Sequence, residues 1–292
     1  MITKNTLVKT NKEYNFDMAL LSDIHADKNT DYSVLDKMIS EIDKRYPQYI
    51  IFLGDALNDG TDIESAKRVS DYLYKMGKLA PVIMILGNHD KVTKKGDRWF
   101  FIRNDEDMKK FNDIVSLYKS IPNVNYLSNN SKTIDGIKFY GMDPDISFYS
   151  DDLSENKKFQ MLYEPIDCYF LRREYNIILT HSPVLVMDNG IINVMPIYIN
   201  SDLILAGHMH NGLLPVYMEW MIPNNKGLIG KRNKRPYLFP DISKGSIKFS
   251  NNIIGIIANP ICTFSSDKGN ACKFEKLYPV PYQNVKVRKL IK

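Results

Sequence analysis

Cysteine is scarce in this 292-residue chain: Cys168, Cys262 and Cys272 are odd in number and share no metal-ligand spacing. That excludes a disulfide framework or a cysteine-held metal, and it reads as reduced packing residues of a cytoplasmic protein. Long hydrophobic runs are missing too. The most apolar stretch, Ile253 to Phe264, is broken by Asn259 and Pro260. It is also shorter than the roughly 20 residues that span a bilayer. Met1 to Asn15 is polar and mixed, without the apolar core of a signal peptide. No transmembrane segment or export address is expected. Neither an internal repeat nor a low-complexity linker interrupts the chain. Charge of one sign hardly dominates: 39 Lys and Arg against 34 Asp and Glu give a net charge of +5. Such a balance suits an anionic substrate without calling for nucleic acid or a membrane.

What is present is an ordinary globular composition, 44% hydrophobic and 25% charged, enough for a sizeable core without disulfides. Short apolar runs alternate with helical spacing, the pattern of a layered α/β fold. Strands are expected at Met18–Leu21, Tyr49–Leu53, Val82–Leu86, Ile177–Thr180 and Leu203–Ala206. Val34, Leu35, Met38, Ile39 and Ile42 mark one helix stripe, and Met108, Phe111, Ile114, Val115 and Tyr118 another, stopped near Pro122. A capping box, Thr61 with Glu64, is expected to open a further helix running to about Lys78. Asp135-Gly136 signals a hairpin, and Ser246–Phe249 pairs with Ile253–Ile257 across Asn251-Asn252. Helix-linked strands followed by hairpins predict a single domain over 1–292. Its architecture is two mixed β-sheets packed face to face with helices on the outside.

Each expected strand ends where metal-capable residues begin. The segments are Ser22-Asp23-Ile24-His25, Gly54-Asp55, Gly87-Asn88-His89-Asp90, His181-Ser182-Pro183 and Gly207-His208-Met209-His210. In open α/β sheets ligands bind beyond the carboxyl ends of strands, where loops distant in sequence converge. All five histidines of the chain lie in these segments. A lone histidine is usually a satisfied polar residue, but that reading weakens when every one sits beside Asp or Asn at an equivalent position. Imidazole and carboxylate suit divalent Mn, Fe or Zn. Asp55, with two oxygens, can bridge two cations.

This order of blocks, D-x-H, G-D, G-N-H-D, H and G-H-x-H, resembles the calcineurin-like metallophosphoesterase family, particularly its smaller bacterial members. The resemblance spans Asp23 to His210. It implies a four-layer α/β/β/α sandwich and two divalent metal ions, with Mn favoured. Asp23, His25, Asp55 and His210 would hold one ion. Asp55, Asn88, His181 and His208 would hold the other. His89 matches the family's catalytic histidine, which is not a ligand and assists the leaving group. Two departures stand out. The family often carries an acid three residues after the bridging aspartate; here that position is Asn58, so His89 would either have less help from an acid or borrow Asp59 or Asp90. Where protein phosphatases have an arginine, this chain has Asp59-Gly60, which argues against that substrate class.

The activity implied is hydrolysis of a phosphomonoester or phosphodiester by a metal-bridging hydroxide, without a covalent intermediate. A nuclease is the first alternative, because Lys226, Lys231, Arg232, Lys234 and Arg235 form a basic stretch, although few aromatics interleave it. A catalytically inert scaffold for protein binding is the second. The apolar segment Val216–Ile222 is expected to be a core edge, with a lid or a peripheral membrane contact as the other options. Oligomeric state leaves no trace in the sequence. Ser182-Pro183 and Asp143-Pro144-Asp145 read as scaffold.

Overall fold

The computed structural model describes residues 4–96, 98–150, 153, 157–158, 161, 173–183, 186–188, 191–193, 201–213, 221–222, 225–232, 235–248, 254–258 and 283–290. In chain order it begins β1 (Lys4–Thr10), β2 (Phe16–Leu21), α1 (Ser33–Asp43), β3 (Tyr49–Leu53), α2 (Ile63–Leu79) and β4 (Val82–Ile85). A hairpin, β5 (Val92–Lys95) and β6 (Arg98–Phe101), precedes α3 (Asp105–Ser120) and β7 (Val124–Tyr126). There follow β8 (Asn130–Ile134), β9 (Ile137–Met142), β10 (Tyr175–Thr180), β11 (Val186–Asp188), β12 (Ile191–Asn193) and β13 (Leu203–Ala206). The last are β14 (Ile229–Arg232), β15 (Arg235–Leu238), β16 (Gly245–Lys248), β17 (Ile254–Ile257) and β18 (Gln283–Lys289).

Two six-stranded mixed sheets result, in the orders β1-β18-β2-β3-β4-β7 and β16-β17-β13-β10-β9-β8. Their inner faces pack together. The side-chain alternation of a strand explains how: Tyr49, Ile51 and Leu53 of β3 join Phe139, Ile177, Leu179, Leu203 and Leu205 of the second sheet. Ile50 and Phe52, between them, point the other way, into α1, α2 and α3. Both faces of β3 are thus covered, which is why its run is continuously apolar. Each such side chain contributes roughly 1.5–3 kcal/mol by leaving water.

The α1 stripe is as expected, with Leu35, Met38 and Ile42 buried and Val34 and Ile39 packed at its margin. Asp135 and Gly136 both take positive φ, 51° and 78°, which a two-residue hairpin turn requires. β16 and β17 pair antiparallel, while the turn joining them lies outside the described residues. Among the described residues all three α-helices cover the first sheet. The matching layer expected over the second sheet falls outside them, as do the three cysteines.

Three features depart from expectation. The α2 cap is not the Thr61–Glu64 box. Asp62 caps instead, accepting from the Ser65 backbone N–H at 3.0 Å and the Ser65 hydroxyl at 2.7 Å. The opening polar segment is a strand, and β18 inserts between it and β2, parallel to β1 and antiparallel to β2. The β5–β6 hairpin was not anticipated at all.

Candidate metal centre

β2, β3 and β4 run parallel in one sheet, and β10 and β13 run parallel in the other. The loops after these five strands meet. Beyond β2 and β3 the two loops keep pairing: His25 N–H donates to Asp55 O at 2.9 Å, and Ala26 N–H to Ala56 O at 2.9 Å. Five of the expected ligands sit in left-handed backbone: Asp23, His25, Asp55, His208 and His210, at φ between 46° and 66°. Non-glycine residues there cost about 1–3 kcal/mol each and persist only where the surroundings hold them. Gly87 allows the close approach of β4's loop, since a Cβ there would lie 2.2 Å from Asp55 Oδ1 and 2.7 Å from His181 Cε1.

Asp23, His25, Asp55 and His210 can bring one ligand atom each within 4.8 Å of one another, and so can Asp55, His181 and His208. Asp55 belongs to both groups. Its Oδ2 lies 3.4 Å from His25 Nε2 and 3.2 Å from His181 Nε2. His25 Nε2 is 3.2 Å from His210 Nε2, which is 3.4 Å from Asp23 Oδ1. In the second group His181 Nε2 is 3.2 Å from His208 Nδ1 and 3.1 Å from Asn88 Oδ1. Metal–ligand bonds of roughly 2.0–2.2 Å put neighbouring donors about 3–3.5 Å apart, the separations seen here.

The far nitrogen of His181 donates to Leu53 O at 2.7 Å, which leaves Nε2 to face the cluster. His208 N–H donates to Asp23 Oδ2 at 3.2 Å, and His89 N–H to Asp55 Oδ1 at 2.8 Å. The other oxygen of each carboxylate, Asp23 Oδ1 and Asp55 Oδ2, is buried and meets imidazole nitrogens at 3.2–3.4 Å. A buried carboxylate oxygen on which several imidazole nitrogens converge fits a divalent cation. The donor set of carboxylate, amide and imidazole therefore suits the metal.

Burial shapes the charges. It opposes ionisation of Asp55, yet the His181 and His25 imidazoles outweigh it and hold that carboxyl well below its usual range. Asp23 is pushed up by burial, against the pull of His210. Burial would lower His181, but the Asp55 carboxylate overrides it and raises the imidazole to about 9. His208, buried and beside His181, falls to about 3. Asp90 is raised to about 7 by burial and by the Asp55 charge.

His89 stands beside the first group, its ring centroid 4.7 Å from that of His25 at 81°. The acids proposed to support it are engaged elsewhere. Asp59 accepts from the Thr61 and Lys94 backbones, both at 2.9 Å. Asp90 accepts from Leu57 N–H and Gly87 N–H, both at 2.8 Å, tying the β3 loop to the β4 loop. His89 Nδ1 instead faces the Asn58 backbone oxygen at 3.4 Å. Sequence reasoning also missed two rings at the site. Tyr149 lies 5.6 Å from His208 and Trp99 lies 5.1 Å from His89, centroid to centroid. Nothing in their local spacing marks them.

Other expectations fall elsewhere. Most of Val216–Ile222 lies outside the described residues; of its end, Met221 is exposed and Ile222 buried. Lys231 and Arg232 lie on β14 and Arg235 on the antiparallel β15, Lys234 is outside the described residues, and Lys226 pairs with Asp241 at 3.2 Å. Asp143 is more than a turn residue, since it pairs with Lys91 and accepts from Ser128 Oγ at 2.6 Å. Among the described residues no helix is long and apolar enough to cross a membrane.

Comparison with known proteins agrees with this geometry. A family described as calcineurin-like phosphoesterase matches residues 17–212. An uncharacterized metallophosphoesterase of Campylobacter jejuni is 23% identical over 205 residues, 69% of this chain and 46% of that protein. The chain thus spans less than half the length of that relative. A dimetal phosphatase of Danio rerio is similar at 12% identity and a TM-score of 0.44, covering 86% of this chain and 89% of that one. A purple acid phosphatase from yellow lupin seeds is similar at 10% identity and a TM-score of 0.41, covering 68% and 38%. At these scores the structural likenesses carry no argument of their own. With its family match across the five ligand loops, the chain belongs to the calcineurin-like phosphoesterases.

Proposed function

We propose that the chain is a dinuclear metal-dependent phosphoester hydrolase. Asp23, His25, Asp55 and His210 would hold one divalent ion; Asp55, Asn88, His181 and His208 would hold the other. The observation that carries this reading is the buried Asp55 Oδ2, set 3.4 Å from His25 Nε2 and 3.2 Å from His181 Nε2, between the two groups of candidate ligands. Two bound cations supply Lewis-acid neutralisation of phosphoryl charge and an acidified water at neutral pH.

The remaining steps belong to the protein. Leu53 O fixes the His181 tautomer, and the His89 backbone N–H fixes the free rotation of Asp55. His89, its ring beside that of His25, would donate a proton or hydrogen bond to the leaving oxygen. Asp90 is a positioning residue, since it binds backbone amides of both loops rather than substrate. The whole of 1–292 acts as one domain, a reading supported by β18 sharing a sheet with β1 to β4. The setting is cytoplasmic, in keeping with three unspaced cysteines.

A metal-by-substrate screen tests this. Protein loaded with Mn, Zn, Fe or Mg is offered a chromogenic phosphomonoester, a diester, nucleotides and single-stranded DNA. Mn-stimulated hydrolysis, somewhat faster on the diester, is expected. A fully loaded sample that leaves every ester intact contradicts the reading, and DNA cleaved fastest would favour the nuclease.

A further inference from the structure

The β5–β6 hairpin stands out from the rest of the surface. It follows directly on His89–Lys91 and carries Trp99 and Phe100, 37% and 46% exposed. Trp99 keeps over a third of its surface open for a further contact. Trp99 nevertheless meets His89 edge to face, at 81°. The rings form a row from the metal cluster to solvent: His210 to His25 at 5.0 Å, His25 to His89 at 4.7 Å, His89 to Trp99 at 5.1 Å.

The hairpin is also held in place. Lys94 N–H donates to Asp59 Oδ2 at 2.9 Å, and Gly60 N–H to Val92 O at 2.8 Å. Thr61 and Thr93 hydroxyls meet at 3.2 Å. Gly60 is needed at this junction, because a Cβ there would sit 1.9 Å from Asp90 O. The loop after β3 thus braces both Asp55 and the hairpin. Lys94 lies directly opposite Trp99 in the ladder, its ammonium over one face of the ring, 5.6 Å from the centroid. A flat aromatic surface, a cation and a proton-handling histidine share one side of the centre.

We propose that this hairpin is the leaving-group subsite, with Trp99 stacking on a planar aromatic ring. The substrate class is a phosphate ester of an alcohol that carries a nucleobase-like heterocycle. Every base has a π-face, so stacking on one tryptophan favours the class without selecting a sequence. The inference rests on the reading of His89 as the residue beside the leaving oxygen.

The test isolates the heterocycle. Adenosine 5′-phosphate and ribose 5-phosphate, with their methyl esters, present the same 5′ oxygen and differ in the base. The intact enzyme is expected to favour the adenosine ester in kcat/KM by about tenfold or more, the size of a base–aromatic stack. Trp99→Ala collapses that ratio to near one, and Trp99→Phe gives a value between. A ratio unchanged in Trp99→Ala overturns the proposal, because Trp99 then only braces His89. A second readout needs no turnover. The chain has two tryptophans, so Trp220→Phe leaves Trp99 as the sole indole fluorophore. Adenosine should quench it and ribose should not; no quenching by adenosine at millimolar concentration counts against the subsite. If no ester is cleaved, the hydrolase reading fails while the quenching still judges the subsite.

Discussion

Along β3, Tyr49 to Leu53 are apolar and buried in regular strand, whereas Gly54 and Asp55, the next two residues, turn into positive φ and place a charge in the interior. The same change occurs after β2, where Leu21 gives way to Ser22 and Asp23, and after β13, where Ala206 is followed by Gly207 and His208. Strand bodies and the loops beyond them thus have opposite chemistry. The bodies lower the free energy of the fold. The loops raise it, through strained backbone, buried carboxylates and facing imidazoles, and that cost is offset when a cation binds the folded state.

If the division is sound, substitutions on its two sides fail differently. The largest effect is expected from Asp55→Asn, which keeps the shape but removes the charge that both groups share. Turnover should fall by about 10³-fold or more, beyond the 10²–10³ of a lost oxyanion donor. Metal-free melting should change little above about pH 9, where the His181–Asp55 ion pair no longer contributes. Calorimetry in chelator beside a rate assay in Mn checks both, and a parallel loss of fold and rate breaks the division. Phe52→Ala, three residues earlier and inside β3, should do the reverse. It leaves a cavity against the helices and costs about 3–5 kcal/mol in denaturant unfolding. Turnover per folded molecule should stay within about twofold, since the loop ties of Asp55 are untouched.

His89→Ala sharpens the comparison within the loops. It should keep both metals and lower turnover on a poor leaving group by about 10²-fold. This is the lower end for general acid–base groups, because Nδ1 faces the Asn58 carbonyl and not an acid. Full activity would remove His89 from the mechanism.

The smallest effect is on pH dependence. Without metal, His181 is raised from 6.5 to about 9 by Asp55, so it is protonated at pH 7. That interaction stabilises the metal-free fold fully below pH 6.5 and is lost as pH rises through about 9. A metal needs neutral imidazole, so binding displaces the proton, and affinity should rise up to about tenfold per pH unit towards pH 9. Melting temperature should therefore fall with pH in chelator and hold or rise in Mn. Parallel slopes would contradict this.

How much was legible follows from the same contrast. The strand bodies announce themselves as continuous apolar runs because both faces of β3 and β4 are covered. The ligand loops are legible because carboxylate, amide and imidazole collect at strand ends for a chemical reason. β1 and β18 were not read, since KNTLVKT is largely polar around Val8 and QNVKVRK buries two polar residues, Gln283 and Asn284, ahead of Val285 and Val287. Their pairing with each other is set by tertiary context. The α2 cap was misread by one residue: a cap at Thr61 would take the Glu64 amide, whereas Asp62 takes both the amide and the hydroxyl of Ser65. The Gly96-Asp97 step between β5 and β6 was a usable turn signal that passed unnoticed. The ring contacts of Trp99 and Tyr149 depend on where loops cross, which no local spacing records.

The most direct measurement is anomalous diffraction from crystals loaded with Mn. The account predicts two peaks roughly 3.5–4 Å apart on either side of Asp55 Oδ2, one toward His25 and His210, the other toward His181 and His208. A single peak, or ions bound elsewhere with Asp55 still unpaired, would contradict it.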